Sequence, residues 1–122
     1  PWAGRLLWRL PFFWEDDFEM LCPEPAWDVD ALCARGPGLQ IFNFHPIHLA
    51  LNSPSMAPYE RLKAERPRLT EARPEDVARL RHDGQGAATV FGHLVARLAS
   101  SGESLRAADV TDRARAAERS HP

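Results

Sequence analysis

A chain of 122 residues with 44% apolar and 26% charged residues has the make-up of one small globular domain. Its formal net charge of −2 excludes a bulk attraction to nucleic acid or to an anionic membrane, and no apolar run approaches the roughly 20 residues of a membrane span. The two cysteines, Cys22 and Cys33, lack CxxC spacing and are expected as free thiols rather than a disulfide.

The sequence opens at Pro1 without a signal-peptide pattern and reads like the interior of an α/β protein. The expectation is a carboxyl-terminal portion whose amino-terminal part lies elsewhere. Residues 5–14, rich in Leu, Phe and Trp, predict a strand. Pro11 confines its well-paired part to residues 12–14. Glu15-Asp16-Asp17-Phe18-Glu19-Met20 follows as an acidic loop. It is either a solvated loop or a set of carboxylates placed at a strand end to face a site. After the turn Pro23-Glu24-Pro25, residues 27–35 predict a short helix with Asp28 and Asp30 at its positive end, stopped by Gly36-Pro37-Gly38. A second strand begins at Ile41, led in by Gly38-Leu39-Gln40, and ends near His45, with Ile41, Phe42 and Phe44 as its strand formers. The order strand, loop, helix, strand is the βαβ rhythm, which implies a parallel pair with a right-handed crossover.

Pro46 lacks an amide hydrogen, so His45 is expected at the carboxyl end of that strand. Residues 49–52 continue as a turn of helix or as an extended loop, and Asn52-Ser53-Pro54-Ser55 breaks the chain. Pro58 starts a helix carrying Tyr59, Leu62 and Ala64, which Pro67 stops. Pro74 opens another with Glu75 and Asp76 in its first turn, closed by His82-Asp83-Gly84. Gly86 leads into the strongest helix, where Val90, Phe91, Leu94, Val95 and Leu98 form one apolar stripe. A weaker helix begins near Leu105 and is expected to fray beyond Thr111.

His45 and His48 stand three apart, a spacing that would share a helical face and could hold a metal. Pro46 between them argues against a helix there, and no third ligand stands nearby in sequence. One histidine acting as an acid or base fits better, because its pKa lies near neutrality. If the two strands are parallel neighbours, Trp14, Asp16 and Asp17 converge with His45 on one rim. An Asp–His pair there could orient the imidazole and favour its protonated form, and a contact without chemistry is equally compatible. His93 falls off its helix's apolar stripe, His82 suits a helix end, and His121 is in the tail. No Gly-x-Ser-x-Gly element or Gly-rich phosphate loop is present, and neither cysteine has an adjacent basic group.

Leu10-Pro11-Phe12-Phe13-Trp14-Glu15-Asp16-Asp17 followed by Asn43-Phe44-His45-Pro46 resembles the late motifs of NodB-type polysaccharide deacetylases, in the branch grouped with bacterial surface-polysaccharide biosynthesis. Ile47-His48, Asn52 and the helix from Gly84 to Leu98 look like that branch too, so the resemblance spans about residues 6–100. It implies an α/β fold: the carboxyl-terminal part of a distorted (β/α) barrel over residues 1–100, with a weak terminal helix and tail over 101–122. The implied reaction is hydrolysis of the acetamide of an N-acetylated sugar in a surface polysaccharide or its precursor. The implied cofactor is a divalent metal, expected to be zinc, on one aspartate and two histidines, with a second aspartate as base and a histidine protonating the leaving amine. His45 matches that late histidine, Asp16 and Asp17 match the acidic pair, and Trp14, Asn43 and His48 are the expected substrate contacts. The early Asp-Asp and His-x-x-x-His motifs are missing, so no metal ligand is assigned within this chain, and the chain alone is expected to be inactive and to need the amino-terminal part of its barrel. The expected compartment is the cytoplasm. A non-enzymatic α/β module with a helical partner-binding half is the alternative. A helix-turn-helix DNA binder is disfavoured by the few Lys and Arg residues on any candidate recognition helix.

Overall fold

The structure, a computed structural model, describes residues 9–36 and 38–119. Its elements in chain order are β1 (Trp14–Glu15), α1 (Asp16–Met20), α2 (Val29–Cys33), β2 (Phe42–Asn43), α3 (Pro46–Leu51), α4 (Ala57–Glu65), a 3-10 turn (Leu69–Glu71), α5 (Pro74–Leu80), α6 (Ala87–Ser101) and α7 (Ala107–Arg119). The described part is mixed α/β but mostly helical.

β1 and β2 pair in parallel, Trp14 opposite Phe42 and Glu15 opposite Asn43. Both strands are shorter than their composition predicts. Residues 5–8 of the first expected strand lie outside the described residues, and Phe13, one residue before β1, donates its N–H to the Ile41 carbonyl at 2.8 Å. Pro11 cannot donate to a ladder, which accounts for the late start of pairing.

Three local expectations are corrected. The acidic segment is not a loop: it winds into α1, where Asp16, Asp17 and Glu19 sit in the first turn and complement the positive helix end. Pro46 does not keep the segment after His45 from becoming helical. It is the first residue of α3, where a missing N–H has no intrahelical partner to lose, and His45 is the N-cap. The last helix does not fray at Thr111 but runs to Arg119, carrying the i,i+3 pairs Arg106–Asp109 and Arg115–Asp112.

Trp14, Val29, Leu32, Val90 and Leu94 form the buried core, so α6 covers the βαβ unit through one side of its stripe. The other side stays open, with Phe91 and Val95 exposed. Trp14 packs its ring among Trp27, Phe42 and Phe44. Between α3 and α6 the chain turns at Asn52, in the left-handed region with φ 45°. Its side-chain nitrogen donates to the carbonyls of His82 and Gly84 at 2.9 and 2.8 Å. Its side-chain oxygen accepts from the N–H groups of Ala88 and Thr89, in the first turn of α6. The approach is close enough that a Cβ on Gly86 would stand 2.3 Å from the Asn52 carbonyl oxygen. No helix among the described residues is long and apolar enough to cross a membrane.

Candidate functional site

The parallel pairing brings the carboxyl ends of β1 and β2 side by side, and each strand runs directly into a helix. Asp16 opens α1 and His45 caps α3, so one residue from each strand end meets the other across the rim. Asp16 is fully buried and makes three contacts. Its Oδ2 accepts from the His45 N–H at 2.9 Å, and its Oδ1 accepts from the Asp17 N–H at 2.9 Å and meets His45 Nδ1 at 2.6 Å. This hydrogen bond, ahead of the neighbouring negative charges of Asp16, Asp17 and Glu15, holds the His45 imidazole above its usual pKa of 6.5 despite partial burial.

His45 is 38% exposed at its side chain, and its Nε2 lies 3.8 Å from Glu15 Oε1. Asn43 donates to that same carboxylate oxygen at 2.7 Å, so it reaches the site through Glu15. Asp17 turns Oδ1 inward, 3.3 Å from His45 Nδ1 and 2.9 Å from His48 Nε2. The oxygen is buried, yet neither ring N–H direction is aligned on it, and it has no hydrogen-bond partner. His48 is buried, with Nδ1 3.1 Å from the Ser53 hydroxyl. Its ring stands edge-on between those of His45 and Tyr59, with centroids 5.9 and 5.5 Å away.

The structure thus gathers four of the six residues singled out in the sequence, Asp16, Asp17, His45 and His48, into one cluster. Asn43 stands beside it. Trp14 lies beneath the rim in the core: its indole N–H donates to Glu19 at 2.7 Å, so it supports the site from below. Two residues at the site went unread in the sequence. Glu15 was indistinguishable from the rest of an acidic run. Ser53 sits in a Pro- and Ser-containing breaker whose composition signals only a turn.

Asp16, Asp17 and His45 each offer a ligand atom, all within 4.8 Å of one another. Carboxylate oxygen and imidazole nitrogen are donors that zinc and similar divalent ions take. The buried Asp17 oxygen without a hydrogen bond is the second observation that fits a cation. One constraint applies: His45 Nδ1 cannot share a proton with Asp16 and also give its lone pair to a metal. While the Asp16–His45 pair stands, Asp17 Oδ1 and His48 Nε2, 2.9 Å apart, remain as two donors that face each other.

Among known families, the model for "WbmS-like: Polysaccharide deacetylase" matches residues 2–63, just over half of the chain. The span includes every residue of the cluster and ends short of the region to residue 100 in which a resemblance was expected. No curated protein and no solved structure matches the chain significantly.

Proposed function

Because the chain belongs to the WbmS-like polysaccharide deacetylase family, we propose that it is part of a hydrolase that cleaves the acetamide of an N-acetylated sugar in a surface polysaccharide or its precursor. The observation that carries this reading is the buried Asp16 clamped on His45 where two parallel strands end. The carboxyl end of parallel strands is where α/β folds place chemistry.

Amide hydrolysis must deliver a proton to a nitrogen that leaves poorly as an anion. His45 supplies it. Asp16 holds Nδ1 and raises the imidazole's pKa, and the remaining ring nitrogen, Nε2, stands 3.8 Å from Glu15 Oε1 on a partly exposed side chain. Asp16 is therefore a positioning residue and His45 the acid. Asp17 and His48 are the two donors of this chain that would hold a divalent cation, expected to be zinc. When bound, such an ion polarises the amide carbonyl and lowers the pKa of a water. Two protein donors fall short of the three that catalytic zinc sites use. The others would come from the amino-terminal part of a larger, distorted (β/α) barrel, to which the pair β1–β2 would contribute two strands. On this reading the chain alone does not turn over substrate. Asn43 and Glu15 border the open side of His45, where the sugar would lie.

The test is acetate release from an N-acetylated oligosaccharide by a family enzyme that includes this chain. His45→Ala is expected to lower turnover by about 10²- to 10⁴-fold, the usual worth of a positioned acid, while bound zinc is retained. Undiminished turnover in that variant removes His45 from the reaction.

A further inference from the structure

We infer that Ser53 is a positioning residue that keeps the His48 proton on Nδ1, so that Nε2 faces Asp17 as a bare lone pair. The inference rests on the proposed site and adds to it the residue that sets its second histidine.

Ser53 is fully buried and pinned along its backbone on both sides. Its N–H donates to the His48 carbonyl at 3.0 Å, and its carbonyl accepts from the Ala87 N–H at 3.0 Å. The preceding Asn52 is fixed by its four side-chain hydrogen bonds, so the turn has little freedom to move the hydroxyl away. Ser53 Oγ is left 3.1 Å from His48 Nδ1 inside the protein.

A serine hydroxyl can donate or accept, so Ser53 alone leaves two tautomers open. Asp17 decides between them. If Nε2 carried the proton, a carboxylate oxygen 2.9 Å away would be its natural acceptor. The ring N–H direction misses that oxygen, which is buried and makes no hydrogen bond. An unmade charge-assisted bond to a buried oxygen is costly. With the proton on Nδ1, the same geometry is two lone-pair donors facing each other, which suits a cation or a group that donates to both. Histidines that ligate metals generally donate their other ring N–H to a fixed acceptor, which sets the tautomer and the ring orientation. Ser53 Oγ stands where that acceptor is needed.

Long-range ¹H–¹⁵N correlation spectra of the imidazoles in the full chain test the assignment, without and with zinc chloride. His48 is expected as the Nδ1–H tautomer. Ser53→Thr should preserve it, and Ser53→Ala should convert it to a mixture and weaken zinc binding by about 10- to 100-fold. Should Ser53→Ala not fold, Ser53→Cys keeps the volume with a poorer acceptor and takes its place. The inference is overturned by an Nε2–H tautomer in the unmodified chain, or by an unchanged tautomer in the folded variant. An Nδ1–H tautomer whose Nε2 does not respond to zinc upholds the Ser53 role and shows that Asp17 and His48 do not hold the ion without the donors of the amino-terminal part.

Discussion

The two parts of the chain are built on different interiors. Between Asp16 and Ser53 the fold buries five polar or charged side chains: Asp16, Glu19, His48, Asn52 and Ser53. From residue 54 onward the buried side chains among the described residues are Leu62, Ala87, Val90 and Leu94, all apolar. A buried polar group is tolerated only where partners satisfy it, and such groups fix orientation more tightly than apolar packing does. The first part is arranged to hold particular atoms in place. The second part is a helical support whose charges stay at the surface, as in the Arg79–Glu65 and Arg106–Asp109 pairs.

The largest expected effect lies in the first part, at Glu19. This carboxylate accepts from the Trp14 indole, the Ala26 N–H and both terminal nitrogens of Arg35. Burial pushes its pKa up, but the Arg35 hydrogen bond, the Ala26 N–H and the indole outweigh that and hold it below 4.5. Glu19→Ala leaves the indole and the Ala26 N–H unpaired beneath the site and should cost about 3 kcal/mol in chemical unfolding. A loss below about 1 kcal/mol would show that the polar interior of this part is not what holds it. The sign with pH follows from the depressed pKa. The Glu19 contribution is present above 4.5 and lost as pH falls through the folded-state pKa.

A smaller effect of opposite sign belongs to His45. Its folded-state pKa is raised above 6.5, chiefly by Asp16. The pair's contribution to stability is therefore complete below 6.5 and disappears as pH rises through the folded-state value. Partial exposure of the ring lets solvent screen the interaction, so the change should be modest. Unfolding midpoints measured at rising pH should decline, and Asp16→Asn should flatten the decline. A slope that persists in Asp16→Asn would assign it to another group.

The contrast between the parts also explains what the sequence disclosed. The βαβ order was legible because Pro, Gly and strand formers punctuate residues 11–45 plainly, and the convergence of Asp16 and Asp17 with His45 followed from parallel pairing alone. The apolar stripe of α6 was legible in part: its period predicts a covered face, but only Val90 and Leu94 are fully inside, since coverage depends on what packs there. Other features were not legible. Pro46 was read as a barrier to helix because proline both ends strands and starts helices, and only the surrounding geometry decides which. The contact of His48 with Asp17 depends on that helix. Ser53 and Asn52 act through a left-handed turn that joins distant segments, and no local pattern encodes the partners His82, Gly84 and Ala87.

The smallest expected effect is the control in the helical part. Arg79 of α5 pairs with Glu65 of α4, with side chains 53% and 42% exposed. An ion pair so open to water gains little from Coulomb attraction and loses side-chain entropy in forming. Arg79→Ala should change unfolding stability by no more than about 0.5 kcal/mol, and added salt should reduce even that. Leu62, fully buried on the same helix α4, is one of the apolar side chains that pack this part instead. A loss above about 1 kcal/mol for Arg79→Ala would place electrostatics in the support as well as in the site, and the division between the two interiors would fail.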